Sequence, residues 1–204
     1  MTVLNIAMVG SDDLAKSIAK ATDQRDVHTY VHKESGADGP RILSIIRPAK
    51  MPERIRPFFN ALCAARVGLI EVNEINAAFG EVLVGFASAG VEKGIMVINP
   101  PEGEWIDEDQ VKGFLAQAGL KSWTQCGNDG IEIRHALYGL MDEISGDLES
   151  AKKEPLVVPI DQHFNVKGIG LVAIGYVQSG SVSVHDELHL CLLYTSDAAD
   201  EGLG

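Results

Sequence analysis

The chain is poor in cysteine, with three in 204 residues, at positions 63, 126 and 191, odd in number and far apart. That spacing excludes a disulfide framework and a zinc knuckle and fits a reducing compartment. Basic residues are scarce as well: 17 lysines and arginines face 29 aspartates and glutamates, for a formal net charge of -12. So acidic a chain carries no general footprint for a phosphate backbone, which argues against DNA and confines any RNA contact to a local patch. No apolar run approaches the roughly 18 residues needed to cross a bilayer, so no membrane partner is expected. The N-terminus has acids in its first helical stretch and no basic region, and does not read as a secretory signal. The expected location is the cytoplasm.

What is present suffices for a core: 46% of residues are hydrophobic and 23% charged, the composition of a folded chain. Short apolar runs at 3–9, 27–32, 41–46, 67–72, 94–98 and 121–124 read as strands. Helical spacing covers 14–21, 52–65, 75–89, 107–118 and 129–148, with Pro52 near a helix start and acids opening the stretch at Asp107. The turn-rich Ser35-Gly36-Ala37-Asp38-Gly39-Pro40 separates the second and third strands. This alternation predicts an α/β fold, a doubly wound, mostly parallel sheet with helices on both faces.

The character changes after residue 148. Residues 149–155 are polar and end in Pro155, which reads as a linker. Valine-rich runs at 156–163, 169–178 and 181–190 then read as antiparallel strands, with Ser179-Gly180 as a hairpin signal. The expected organisation is a first domain at 1–148, a linker at 149–155, and at 156–190 the opening of an all-β module too short to close a barrel. Residues 191–201 read CLLYTSDAADE and resemble a translated sequencing adapter, so 191–204 are expected to be an artefact and native sequence to stop near Leu190. Without Asp197, Asp200 and Glu201 the net charge moves from -12 to -9, and the acidic character survives.

The first chemical signal is Gly10-Ser11-Asp12-Asp13-Leu14-Ala15-Lys16-Ser17, which fits G-x-x-x-x-G-K-[ST] at every fixed position except Ala15. It follows a strand and opens a helix, the context in which backbone N–H groups cradle phosphate, a lysine reaches it and a hydroxyl binds magnesium. Gly10, Asp13, Ala15, Lys16 and Ser17 are therefore candidate nucleotide-binding residues, with Ser17 the candidate metal ligand. Two features oppose this: a methyl group replaces the second glycine, and Asp12 and Asp13 put negative charge where phosphate would sit. The competing reading is an ordinary strand-to-helix turn with Lys16 facing solvent.

These residues resemble the translational GTPases of the elongation factor Tu type, including the selenocysteine-specific factor. That family's loop reads G-H-V-D-H-G-K-T, so Gly10, Asp13 and Lys16 match directly and Ser17 stands for threonine. Phe164-Asn165-Val166-Lys167-Gly168-Ile169-Gly170, followed by Gly175, Val177, Gly180, Val182, Val184 and Asp186-Glu187-Leu188, resembles the start of the family's second-domain barrel. The resemblance implies a P-loop GTPase-like domain that binds GTP or GDP with Mg2+, then a domain 2 barrel that touches the aminoacylated end of tRNA. The implied partners are tRNA or the ribosome.

The departures bear on chemistry. Where the family has D-x-P-G-H, which places magnesium, senses the γ-phosphate and positions water, this chain has Ile46-Arg47-Pro48-Ala49-Lys50. Where it has the base-reading N-K-x-D, this chain has Asn99-Pro100-Pro101-Glu102, so Asn99 and Glu102 are the remaining candidates. No magnesium-binding threonine is identifiable in the short first switch region, and Thr29 is a poor candidate. The expectation is an elongation-factor-like protein with weak guanine-nucleotide binding and no hydrolysis; the alternative is an active GTPase of the same family. Elsewhere, His28 and His32 read as strand residues rather than a metal pair. Cys63, Cys126, Trp105 and Trp123 read as packing residues, and Glu71 and Glu74 as solvated charge near a strand end.

Overall fold

The stretch VGLIEV at Val67–Val72 is buried at every position and forms β5, as a strand covered on both faces must be. The computed structural model describes residues 2–24, 27–37, 39–51 and 53–190. Around β5, in chain order, lie β1 (Thr2–Val9), α1 (Asp12–Ile18), β2 (Lys20–Gln24), β3 (Val27–Gly36), β4 (Gly39–Pro48) and α2 (Ile55–Ala64). After it come α3 (Ala77–Ser88), β6 (Gly94–Ile98), α4 (Glu108–Gln117), β7 (Thr124–Cys126), α5 (Gly130–Glu143) and α6 (Ser145–Ala151). The chain then forms β8 (Ile160–Val166) and β9 (Gly170–Gly175).

Seven strands form one sheet in the order β2-β3-β4-β1-β5-β6-β7. From β4 to β7 every pairing is parallel, while β2, β3 and β4 pair antiparallel. The two-residue period of β1 divides the core: Leu4, Ile6 and Met8 pack with α1 and α5, and Ala7 packs on the opposite side with α2, α3 and α4. The expected doubly wound α/β sheet is present.

Trp123 shows how tightly the second layer is closed. Its indole lies across Gly68 and Gly94, which are register partners on β5 and β6. The ring meets Phe86 edge-on at 5.0 Å and its Nε1 donates to the Val91 carbonyl at 3.3 Å. A Cβ on Gly94 would stand 2.5 Å from indole Cε2, so neither strand could carry a side chain here. This also corrects the strand expected at 121–124. With the Trp123 indole turned inward and the Trp123 backbone N–H donating to the Leu120 carbonyl in a turn, the chain extends only from Thr124.

Other boundaries move for similar reasons. The helix expected to reach Ala21 ends at Ile18, because Lys20 and Ala21 pair with Val31 and Tyr30 as the edge strand β2. The final helix, expected as one piece, breaks at Ile144 into α5 and α6, and α6 runs to Ala151, into the expected linker. In the C-terminal region the first two runs form the β8–β9 hairpin, which turns at 167–169 where the Ile169 N–H donates to the Val166 carbonyl, while the hairpin expected across Ser179-Gly180 does not form among the described residues. Ser179 instead accepts from the Val157 N–H in an isolated bridge. The strand expected at 181–190 does not form among the described residues: none of these residues joins a strand ladder, and a turn ties Ser183 to Asp186. Pro52 and the tail 191–204 lie outside the described residues.

Candidate functional site

In an open α/β sheet the ligand crevice lies beyond the carboxyl ends of the parallel strands. Here that edge brings together the Gly10–Ser11 connection after β1, the turn after β4, the end of β5 and the loops after β6 and β7. The motif residues begin there, but the backbone between Gly10 and Lys16 is not an open loop. α1 starts at Asp12, with Ser11 as its N-cap and the Ser11 Oγ accepting from the Leu14 N–H at 3.1 Å. Two residues, Gly10 and Ser11, therefore join strand to helix, and the space a phosphate-cradling loop would enclose is taken by the first helical turn.

The candidates fall out accordingly. Ala15 is fully buried in the core beneath α1. Lys16 pairs with Asp12 one turn earlier. Ser17 donates its hydroxyl to the Leu14 carbonyl at 2.7 Å, which commits the group that would meet a metal. Asp13 and Glu102 are exposed. Gly10 and Asn99 do converge, but on a residue read from sequence as solvated: Glu71. The residue is only 8% exposed. Oε2 accepts from the Ser11 N–H at 2.5 Å and Oε1 from Asn99 Nδ2 at 2.7 Å.

Two more residues missed from sequence complete the network. Tyr30, fully buried on β3, donates its hydroxyl to Asp12, and Arg47 at the end of β4 donates Nε to the Gly10 carbonyl at 2.6 Å. Lys16, followed by the Tyr30 hydroxyl, holds the Asp12 carboxyl below its ordinary value; burial, then Asp12, pushes the Tyr30 phenol up to about 12. Both groups keep one charge state near neutrality, Asp12 ionised and Tyr30 a donor. The signal for Glu71 was legible, since an acid inside an otherwise wholly apolar strand must find donors if it is buried.

The segment between α1 and β4, where the resemblance implied a short first switch, forms the paired strands β2 and β3. Thr29 Oγ1 lies 2.8 Å from Thr22 Oγ1 and accepts from the Asp23 N–H at 3.2 Å, so that hydroxyl serves the strand pair. In the stretch that replaces D-x-P-G-H, Pro48 is buried at the end of β4 and Lys50 turns the chain with φ 59°. Beyond β6 and β7 opens a cleft of about 630 Å³ lined by Ile98, Pro100, Trp105, Ile106, Cys126 and Gly127. Trp105 is 80% exposed at its rim, whereas Trp123 is buried. Cys63 is exposed; the Cys126 thiol, bonded to Glu132, is pushed up to about 11 by burial and that carboxylate and stays protonated. Among the described residues no group of three or more His, Cys, Asp or Glu is arranged to hold a metal.

No family model matches the chain. An uncharacterized protein of Methanocaldococcus jannaschii is 28% identical over 191 residues, covering 93% of this chain and 58% of its own. Among solved structures, a bacterial selenocysteine-specific elongation factor EF-Sec superposes with a TM-score of 0.61 at 21% identity, over 88% of this chain and 35% of that one. The translation elongation factor SelB of Methanococcus maripaludis, in complex with the GTP analogue GppNHp, gives 0.58 at 18% identity, over 91% and 44%. The fold is translation-factor-like. The chain thus spans 58% of the curated relative and well under half of the two structures. The GTP analogue belongs to the SelB structure. In this chain the residues at the equivalent strand edge do not fit a triphosphate: the loop is helical, the lysine and serine are bonded within α1, and a carboxylate already takes the Ser11 N–H.

Proposed function

We propose that this chain belongs to an elongation-factor-like protein that acts in protein synthesis through tRNA or the ribosome, with a GTPase-type domain that does not hydrolyse GTP. The observation that carries this reading is the pairing of a translation-factor-like sheet with a strand-to-helix connection occupied by its own side chains. Catalysis of phosphoryl transfer is positioning and charge stabilisation, and neither group set is free to supply it. Guanine nucleotide and Mg2+ are accordingly weak ligands at most. Residues 1–148 are the nucleotide-type domain, 149–155 the connection, and 156–190 the opening of a domain 2 barrel that contributes the RNA contact. The basic residues available to it are Lys152, Lys153 and Lys167, all exposed, so binding has a small, salt-sensitive footprint.

The test is co-sedimentation of the protein with ribosomes, and filter binding of aminoacyl-tRNA, at two salt concentrations with and without GTP. Binding indifferent to nucleotide is the expected result. Binding that is strong only with GTP supports the active GTPase instead, as does GTP turnover above the no-enzyme control that Lys16→Ala abolishes. No binding to either RNA species removes the translation reading.

A further inference from the structure

Glu71 is the one charged side chain in the core of the described residues. It stands in β5 with apolar neighbours on both sides, and its two oxygens collect donors from the ends of two other strands. The Ser11 N–H arrives from the end of β1 and the Asn99 amide from the end of β6, at 2.5 and 2.7 Å. Gly10 belongs to the same arrangement: a Cβ there would lie 2.8 Å from the Glu71 Cβ and 3.0 Å from its Oε2. Glycine at position 10 is thus required by the approach of this carboxylate and not by a ligand. Donors converging on an oxyanion past the ends of parallel strands are the means by which α/β sheets hold phosphate. Here the anion is covalently part of the chain, and charge-assisted bonds of this kind are about twice as strong as neutral ones.

We infer that Glu71 is the resident anion of this domain: its carboxylate takes the part that the fold family gives to a nucleotide phosphate and ties the ends of β1, β5 and β6 together without ligand. This rests on the non-hydrolysing reading above and goes further, naming the group that makes nucleotide unnecessary to the closed connection. Asn99, the surviving asparagine of the base-reading motif, acts on that view as a donor to Glu71.

The intact chain and its Glu71→Gln and Glu71→Ala variants test this by thermal melting and by NMR exchange of the Ser11 amide. Mg·GDP, Mg·GTP and pyrophosphate at millimolar concentration leave the wild-type Tm unmoved. Both variants melt lower, Glu71→Ala by about 3–10 °C and Glu71→Gln by less, and the Ser11 amide exchanges at least about tenfold faster in each as its acceptor weakens. Should Glu71→Ala fail to fold, the near-isosteric Glu71→Gln and the wild-type titration still decide. A wild-type Tm raised by about 5–10 °C, the shift from a ligand near 100 times its Kd in a chain of this length, overturns the inference. So does Ser11 protection that is unchanged in both variants. RNA binding is not read in this experiment, so a failure here leaves the RNA contact of the proposed function to its own test, and loss of RNA binding leaves the Glu71 result standing.

Discussion

Replacing Gly94 with alanine tests the packing that holds the parallel sheet to its helices. The new Cβ would fall 2.5, 2.6 and 2.7 Å from indole atoms Cε2, Cδ2 and Cζ2 of Trp123, well inside van der Waals contact. The ring cannot slide easily, because Phe86 lies at 5.0 Å on one side and the Nε1–H is bonded to the Val91 carbonyl. Overpacking of this kind costs about 1–3 kcal/mol. In a chain of this length each kcal/mol moves Tm by roughly 2–4 °C, so Gly94→Ala is expected to lower Tm by about 2–12 °C. The assay is thermal melting followed by indole emission in a Trp105→Phe background, which removes the 80% exposed tryptophan and leaves Trp123 as reporter. Emission from Trp123 shifts to the red as the ring is displaced. The variants that lack Trp123 carry no tryptophan in that background, so the cycle is read by far-ultraviolet circular dichroism: Gly94→Ala with Trp123→Phe is expected to cost less than the two single losses added together, with a coupling of at least about 0.5 kcal/mol. A Tm within about 1 °C of wild type, or strictly additive losses, would show that the indole does not rest on β6 and refute the reasoning.

Stability is expected to fall on mild acidification through His32. Burial, then the positive charge of Arg134, lowers its pKa below the ordinary 6.5, so below that pH the unfolded chain takes up a proton that the folded chain refuses. Denaturant midpoints are expected to drop between about pH 7 and 5.5, with a slope that is reduced in His32→Gln; an equal slope in both proteins counts against this account. Hydrogen exchange is expected to separate the two sheets. Phe164, Leu171 and Ile174 of the β8–β9 hairpin are 43%, 62% and 48% exposed, and a two-stranded sheet without a packed face is marginal in water. Amides in 160–175 are therefore expected to exchange fast, or to be protected only on self-association, while those in 67–72 and 94–98 are slow. Equal slow protection in a monomer contradicts this.

Much of the fold was legible because its causes are local. A run such as VGLIEV buries both faces wherever it lies in a parallel sheet, and β5 and β6 fall on the expected residues. Helix starts were legible for the same reason. Asp107 and Asp129 open their helices as N-caps, each accepting from two backbone N–H groups of the first turn. The β3–β4 hairpin follows from the glycines at its turn, which pair as Gly36 and Gly39.

What only the tertiary structure decided lies where several strands end together. Motif spacing around Gly10 and Lys16 is compatible with a phosphate loop or with a helical turn, and the choice turns on which groups satisfy the backbone there. Ser11 caps the helix and Glu71 takes the Ser11 N–H, sixty residues away in the chain. The fate of Lys16 depends on Asp12, which Tyr30 holds from a strand on the far side of β4. Trp123 likewise turns inward because two glycines on neighbouring strands leave it a floor. Hydrophobic period and capping residues act over a few residues and can be read along the chain. The partner of a buried charge or a large ring is set by distances across the sheet, which come into being only when the chain has folded.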